Sequence, residues 1–281
     1  MTALDSSTKQ YNVLSLGAGV QSTVLALMAS RGEIEPKCDF AVFADPGWEG
    51  YDTYDHLDWL EEQLDYPLYT TSNGSIYKDV IASASEGKRM ANPPYYTLSK
   101  DGKKGVLKRG CTTEYKVIPV QRKVREILGF KKGERIAGKV HVNMWLGIST
   151  DEYQRLREST DKWITFRWPL IEKGMNRTNC QSWLEKNGYP ETPRSACVGC
   201  PYHNNDYWRD MKKNRPDEWD EACKVDDLIR NGINKGSAKD FQADQLFTHN
   251  DMVPLREVDL STDEDRGQMT WLDECSGNCF L

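Results

Sequence analysis

Along the first half of the chain, short apolar runs alternate with amphipathic stretches. Residues 11–16 (YNVLSL) and 39–44 (DFAVFA) read as buried strands, because apolar runs this short suit a sheet covered on both faces. Residues 22–31 read as a helix after the first strand, and residues 51–64 as an amphipathic helix with Leu57, Leu60 and Leu64 on one face. Residues 140–148 (VHVNMWLGI) form a later, strongly apolar strand. Strands alternating with helices predict an α/β fold, a twisted parallel sheet with helices on both faces in a Rossmann-like arrangement. Beyond about residue 175 the pattern turns helical, over 177–187, 207–213 and 217–230, and cysteines gather. The chain therefore divides into an α/β domain at 1–175 and a helical, cysteine-bearing C-terminal extension at 176–281.

Between the first strand and its helix stands SLGAGVQST, residues 15–23. A strand, a tight glycine turn and a helix present backbone N–H groups and a positive helix end, which suit a phosphate. Ser15, Gly17, Ala18, Gly19, Gln21, Ser22 and Thr23 are the candidate contacts, with the two hydroxyls as donors at the helix start. The stretch lacks the lysine of a Walker loop, and Ser22 stands where a dinucleotide fingerprint would need its third glycine. An ordinary strand–helix turn is the plain alternative. Asp45 follows the second strand, and in an open parallel sheet it faces the same crevice as the glycine turn, suited to ribose hydroxyls or a magnesium ion. It lies 26 residues past Gly19 with Pro-Gly behind it, whereas a NAD-binding acid falls about 20 residues on, which argues against hydride transfer. Asp151 and Glu152, just after the strand at 140–148, offer two more strand-end carboxylates, with Arg155 and Arg157 behind them to clamp phosphate or sulfate. The same acids also suit a plain helix N-terminus.

A charged fraction of 28% and a hydrophobic fraction of 38% are those of a soluble globular protein, and a net charge of −6 argues against nucleic-acid contact over the whole surface. A local basic patch remains open at 86–109, where seven Lys or Arg residues sit in a Gly/Pro-rich stretch. It reads either as a solvated surface loop or as a mobile basic lid over an anionic substrate. With no basic-then-apolar leader and no apolar run of membrane-spanning length, the expected location is the cytoplasm. Eight cysteines are too few for a disulfide scaffold of this length, so their spacing is read as metal or redox chemistry.

Five segments in order resemble the PP-loop superfamily of ATP pyrophosphatases, in its branch similar to phosphoadenosine phosphosulfate (PAPS) reductases. GAGVQST resembles the S-G-G-x-D-S loop, and FADPGWE the D-T-G-x-E segment. CTTEYKVIPVQR resembles C-x-x-x-x-K-x-x-P-x-x-R, GISTDEYQR resembles G-I-R-x-D-E-x-x-R, and WPLIE the P-L-x-x-W region. The resemblance continues through CVGCP to the tail DECSGNC, similar to phage-encoded PAPS reductase-like proteins, so the host cytoplasm is the location if the gene is a phage's. It implies an adenine nucleotide on the glycine turn, with Asp45, Gly147, Asp151, Glu152 and Arg155 around it and Mg2+ as a companion. Two positions depart from the loop motif. Gly17 replaces its first serine, and Gln21 replaces its aspartate, a possible magnesium partner. Some sulfonucleotide reductases also resemble the sequence in carrying Gln there.

Cys197 and Cys200, separated by two residues and followed by Pro201, form a specific thiolate pair. The resemblance adds Cys111, similar to the second of a Cys-Cys pair that binds a [4Fe-4S] cluster, with Gly110 at the first position. A fourth ligand is expected from Cys279, with Cys275 or Cys180 as alternatives, unless one iron stays open for a labile sulfur. A structural zinc on Cys111, Cys197, Cys200 and His203 is the competing set. Cys275, in Glu274-Cys275, is similar to the tail nucleophile of PAPS reductases, while Cys38 and Cys223 read as core thiols. His56, His141, His203 and His249 form no i, i+4 metal pair, and His249 reads as packing.

Three activities follow. The leading one is an ATP-dependent enzyme that adenylates a nucleic-acid or nucleobase acceptor and inserts sulfur, assisted by the cluster and supplied by a cysteine desulfurase, as in tRNA thiolases and DndC-type DNA sulfur-modification proteins. The second reduces PAPS or its 3′-dephosphorylated analogue APS to sulfite with thioredoxin, through Cys275. The third is a non-catalytic nucleotide-binding module with structural zinc.

Overall fold

A computed structural model of the chain describes residues 8–90, 92–233 and 245–262. In order, its elements are β1 (Lys9–Leu16), α1 (Val20–Ser30), β2 (Phe40–Asp45), α2 (Tyr51–Gln63), β3 (Leu68–Ser72), α3 (Ile76–Glu86), β4 (Tyr96–Leu98) and β5 (Lys104–Val106). There follow α4 (Ile118–Ile127), β6 (Val140–Leu146), β7 (Ile164–Arg167), α5 (Pro169–Glu172), α6 (Arg177–Lys186), α7 (Asn205–Asn214), α8 (Pro216–Ile229) and β8 (Gln245–Phe247). There are also a π turn at Thr113–Val117 and 3-10 turns at Thr150–Arg155 and Leu255–Glu257. The chain forms two compact units, both discontinuous in sequence. One takes the chain up to Asp45, Tyr51–Ser72 and Lys116–Ser195; the other takes Pro46–Gly50, Asn73–Tyr115 and the chain from Ala196 on.

The first unit is the expected α/β fold. Its sheet has the order β3-β2-β1-β6-β7 with every neighbouring pair parallel. Side chains alternate between two apolar layers at the strand period of two. Leu14, Leu16, Ala41, Phe43 and Trp145 pack with α1, with Leu57 and Leu60 of α2, and with Cys180 and Leu184 of α6. Val13, Phe40, Val42, Val142 and Met144 pack with Val120 and Val124 of α4. Burying each such side chain contributes about 1.5–3 kcal/mol. A one-residue slip would exchange the two faces, so the register is fixed.

The second unit is built around α3, α7 and α8, with Val80, Trp208, Met211, Trp219 and Cys223 in one apolar cluster. It also holds a three-stranded antiparallel sheet, β5-β4-β8. The basic stretch at 86–109 is therefore not an irregular loop over its length. Leu98 pairs with Lys104, and Ser99 closes the turn by accepting the Lys103 N–H on its hydroxyl at 3.1 Å. Gly102 supplies the left-handed φ of 80° that this turn requires. Among the described residues no helix is long and apolar enough to cross a membrane.

Candidate functional site

At the carboxyl end of the first unit's sheet, β1 continues into α1 and thence to β2 on one side, while β6 lies on the other. The strand order reverses between β1 and β6, which is where open parallel sheets bind ligands. Ser15 pairs with Leu146 and Leu16 with Phe43, so the loops after β1, β2 and β6 leave the sheet side by side. Between Gly17 and Gly19, buried Ala18 adopts φ 57°, an uncommon conformation for a residue with a Cβ. The strain belongs to the turn that brings the first α1 N–H groups to the sheet edge, where they have no intrahelical acceptors.

The two hydroxyls expected to face a phosphate are engaged within the chain. Ser22 Oγ donates to the Gly19 carbonyl at 3.0 Å and accepts the Gly19 N–H at 3.1 Å, fixing the turn. Thr23 is fully buried, with Oγ1 at 2.9 Å from His56 Nε2. Ser22 and Thr23 thus shape the loop that carries the turn's backbone N–H groups.

The β6 side of the rim is tied to the same turn. Gly147 lies against the α1 backbone so closely that an added Cβ would stand 2.7 Å from Ser22 Cα. Gln21, buried in the first turn of α1, donates from Nε2 to Ser149 Oγ at 3.3 Å and accepts from Arg177 Nη1 at 3.2 Å. Ser149 donates to Asp151 Oδ1 at 2.6 Å, and the same oxygen accepts the Arg177 N–H at 3.1 Å. Glu152 and Arg155, both largely shielded, form an ion pair within the 3-10 turn. Asp45, the last residue of β2, accepts a hydrogen bond from Tyr54 at 2.9 Å and on its carbonyl one from Ser72 at 2.8 Å. Ser15, Gly17 to Gly19, Gln21, Asp45, Gly147, Asp151, Glu152 and Arg155 thus lie on or beside one rim.

Ser149, Arg177, Tyr54 and His56 were not visible as site residues in the sequence. Burial lowers His56 from 6.5 to about 4. Between those values the unfolded chain binds a proton that the native imidazole refuses, so stability falls as pH drops from about 6.5 toward 4, by up to about 3 kcal/mol from this group. The urea midpoint is expected to fall over that window, and His56→Gln, which keeps a partner for Thr23, should flatten the fall. An equal slope in wild type and variant would exclude His56 as its source.

The cysteines divide by environment. Burial pushes Cys38, Cys180 and Cys223 up to about 12, so all three are thiols at neutral pH. Cys180 belongs to the first unit's apolar layer under α6, which makes it a poor thiolate donor. Cys111 and Cys197 are half-buried at the edge of the second unit's apolar cluster. Cys111, Cys200 and Cys197 all lie within electrostatic reach of Tyr95, whose hydroxyl is fully buried without a hydrogen-bond partner among the described residues. Burial raises the Tyr95 hydroxyl well above its usual range, and negative charge on Cys111 and Cys200 adds to this. The Cys197–Cys200 turn is built around Trp48. Val198 donates its N–H to the Trp48 carbonyl at 2.8 Å, Cys197 bridges Glu49, and a Cβ on Gly199 would stand 2.1 Å from the indole. His203 sets its Nε2 2.8 Å from the Cys197 carbonyl and stacks on Tyr207 at 3.9 Å. Among the described residues no three His, Cys, Asp or Glu side chains are grouped to hold a metal ion. Cys275 and Cys279 lie outside the described residues.

No family model and no curated protein matches the chain. Among solved structures, the chain is similar to a phosphoadenylyl-sulfate (PAPS) reductase from Candida auris in its phosphate complex, at 14% identity and a TM-score of 0.42, over 66% of this chain and 76% of that one. At that distance the likeness carries nothing about activity.

Proposed function

We propose that the first unit seats the anionic end of an adenine nucleotide on the turn at 17–23, and that the protein is a sulfur-transfer enzyme using that nucleotide. One observation supports the seat. Gly147, Ser149 and Asp151 after β6 are locked onto the first turn of α1 at the reversal of strand order. Such a rim presents N–H donors at the place where open parallel sheets take ligands. Adenine and sulfur enter the reading through the ordered motifs, not through this geometry.

Two chemistries fit the reading. With ATP, an acceptor oxygen attacks the α-phosphorus and pyrophosphate leaves; the terminal sulfur of a persulfide supplied by a cysteine desulfurase then displaces AMP, and a dithiol reductant cleaves the S–S bond to release the thiolated acceptor. With a sulfonucleotide, the Cys275 thiolate attacks the sulfonate sulfur and the nucleotide leaves; a dithiol such as thioredoxin then reduces the resulting S-sulfocysteine, releasing sulfite. Gln21 at the rim, a neutral amide held by Arg177, favours the second chemistry. Cys111, Cys197 and Cys200 are soft donors suited to zinc or iron–sulfur, but the described residues do not assemble a ligand set, and no step here runs through a metal.

Saturable binding of ATP or adenosine 5′-phosphosulfate by calorimetry is the expected result. Pyrophosphate release in the presence of nucleic-acid acceptors, compared with sulfite release in the presence of thioredoxin, separates the two chemistries. Binding of neither nucleotide would remove the proposal. Iron, acid-labile sulfide and zinc analysis of anaerobically purified protein tests the cluster and the structural zinc directly.

A further inference from the structure

The stretch at 86–109 sets seven Lys or Arg against two carboxylates, Glu86 and Asp101, in a chain of net charge −6. Folded as β4 and β5 it joins β8 in one sheet, and β5 is an edge strand among the described residues. Residues paired across strands share a face of the sheet. The row Gly105, Thr97 and Leu246 faces the second unit's core, where Leu246 is fully buried. The open face carries two rows, Val106 with Tyr96 and Phe247, and Lys104 with Leu98 and Gln245. Arg230 lies over Phe247, Tyr96 and Leu98 are half-buried, and Lys104 and Val106 stand clear, Val106 with 51% of its surface exposed. Lys103 and Lys108 are exposed as well, and among the described residues no ion pair holds Lys103, Lys104 or Lys108. The other lysine-rich stretch, at 122–139, pairs Lys123 with Glu126 and Lys139 with Glu134. The foot of the hairpin is clamped beside a thiol. Leu107 donates its N–H to the Tyr95 carbonyl at 2.8 Å, and the Asn92 carbonyl accepts the N–H groups of Gly110 and Cys111 at 3.0 and 3.2 Å. Asn92 Nδ2 donates to the Lys108 carbonyl at 2.9 Å, and the Arg109 guanidinium lies 5.8 Å from the Tyr202 ring centroid.

We propose that the open face of the β4–β5 hairpin is a docking surface for a single-stranded polynucleotide, whose phosphates meet Lys103, Lys104 and Lys108 and whose bases lie on Val106 and Tyr96. At about 3.3 Å per residue, Lys104 to Lys108 spans about 13 Å, more than one phosphate or sulfate group can touch. Separate ammonium groups at that spacing suit a chain of phosphates, and the apolar strip between them suits base faces. A duplex keeps its base faces inside the stack and would leave Val106 and Tyr96 without a partner. An anionic lipid surface needs an apolar face that sinks into it, whereas Tyr96 and Leu98 stay half-buried in the sheet. A strand following the hairpin toward its foot would arrive at Cys111. The surface belongs to the second unit alone, so it stands whether or not the first unit seats a nucleotide.

Fluorescence anisotropy of the full chain tests this with labelled oligothymidylate, oligouridylate and a DNA duplex of equal length, titrated between about 50 and 200 mM salt. Either single strand should bind more tightly than the duplex, and the tighter of the two identifies the sugar. The triple variant Lys103→Gln/Lys104→Gln/Lys108→Gln should weaken single-strand binding at least about 10-fold at the lowest salt and reduce the log–log salt slope by about 2. Val106→Ser should weaken it about threefold and leave that slope unchanged, because it removes an apolar contact and no charge. Lys131→Gln/Lys132→Gln/Lys173→Gln removes the same charge from exposed sites of the first unit and should bind as wild type does. All these side chains are exposed, so the urea midpoints of the variants should match wild type. Absence of single-strand binding, equal or tighter binding of the duplex, or equal weakening by the two triple variants would overturn the proposal. Displacement of the oligonucleotide by polyglutamate or by phosphatidylserine vesicles at equal charge concentration would overturn it in favour of an acidic protein or a membrane.

Discussion

Gly147→Ala is expected to destabilise the protein by about 1–3 kcal/mol, the usual cost of forcing a methyl into a filled space, and to abolish nucleotide binding. The new Cβ would stand 2.7 Å from Ser22 Cα and 2.8 Å from Ser22 N, both backbone atoms of the first turn of α1. No flexible side-chain tip can give way, so either the end of β6 or the glycine turn must shift. Such a shift would part Gln21 from Ser149 and redirect the N–H groups proposed to face the ligand. Gly19→Ala is the contrasting variant, because among the described residues nothing lies within 4 Å of its added Cβ and its φ is −96°. Its urea midpoint should match wild type, so any loss of binding there reports approach of the ligand rather than collapse of the loop. A Gly147→Ala protein with wild-type midpoint and affinity would show that β6 and α1 are not rigidly joined.

The contrast between those glycines marks how far the sequence could be read. The strand–turn–helix at 11–31 and the apolar runs at 39–44 and 140–148 were legible because both faces of those strands are buried, leaving no polar position to blur the pattern. The edge strand β3 (LYTTS) was not legible, since it is half-exposed and short of apolar residues. Strands β4 and β5 were hidden in a lysine-rich stretch, where only the Asp101-Gly102 turn signalled a hairpin. At the rim, Gly17, Gly19 and Asp45 announced themselves by residue type and by position after strands. Ser149 and Arg177 did not, because their role comes from hydrogen bonds spanning 128 and 156 residues to Gln21. Gly199 between two cysteines looked like a spacer in a ligand pair. Its absent side chain is what admits the Trp48 indole, and no local pattern encodes that contact.

The second large effect is expected at Asp226, whose removal should cost about 3–5 kcal/mol, the range for breaking a buried pair and leaving its partner uncompensated. Asp226 is fully buried in α8 and is the point on which three later segments converge. Its Oδ1 accepts the Thr248 N–H at 2.7 Å just after β8, and its Oδ2 accepts the Leu255 N–H at 2.9 Å and pairs with Arg230. Arg230 in turn donates to the Leu246 carbonyl at 2.8 Å and lies 3.8 Å from the Phe247 ring centroid. Asp226→Ala thus leaves two buried N–H groups and a guanidinium without their acceptor, and Asp226→Asn keeps the shape but sets an NH2 group against donors. Because β8 pairs with β4 directly after Tyr95, loss of this anchor should also loosen the packing beside Cys111, Cys197 and Cys200. Both variants should therefore unfold at lower urea and show faster thiol modification under native conditions, with Asp226→Ala the more severe. The double variant Asp226→Ala/Arg230→Met, which removes both charges, should recover part of the loss. If it is as unstable as the sum of its singles, the carboxylate and the guanidinium act independently, and Asp226 is only a backbone anchor.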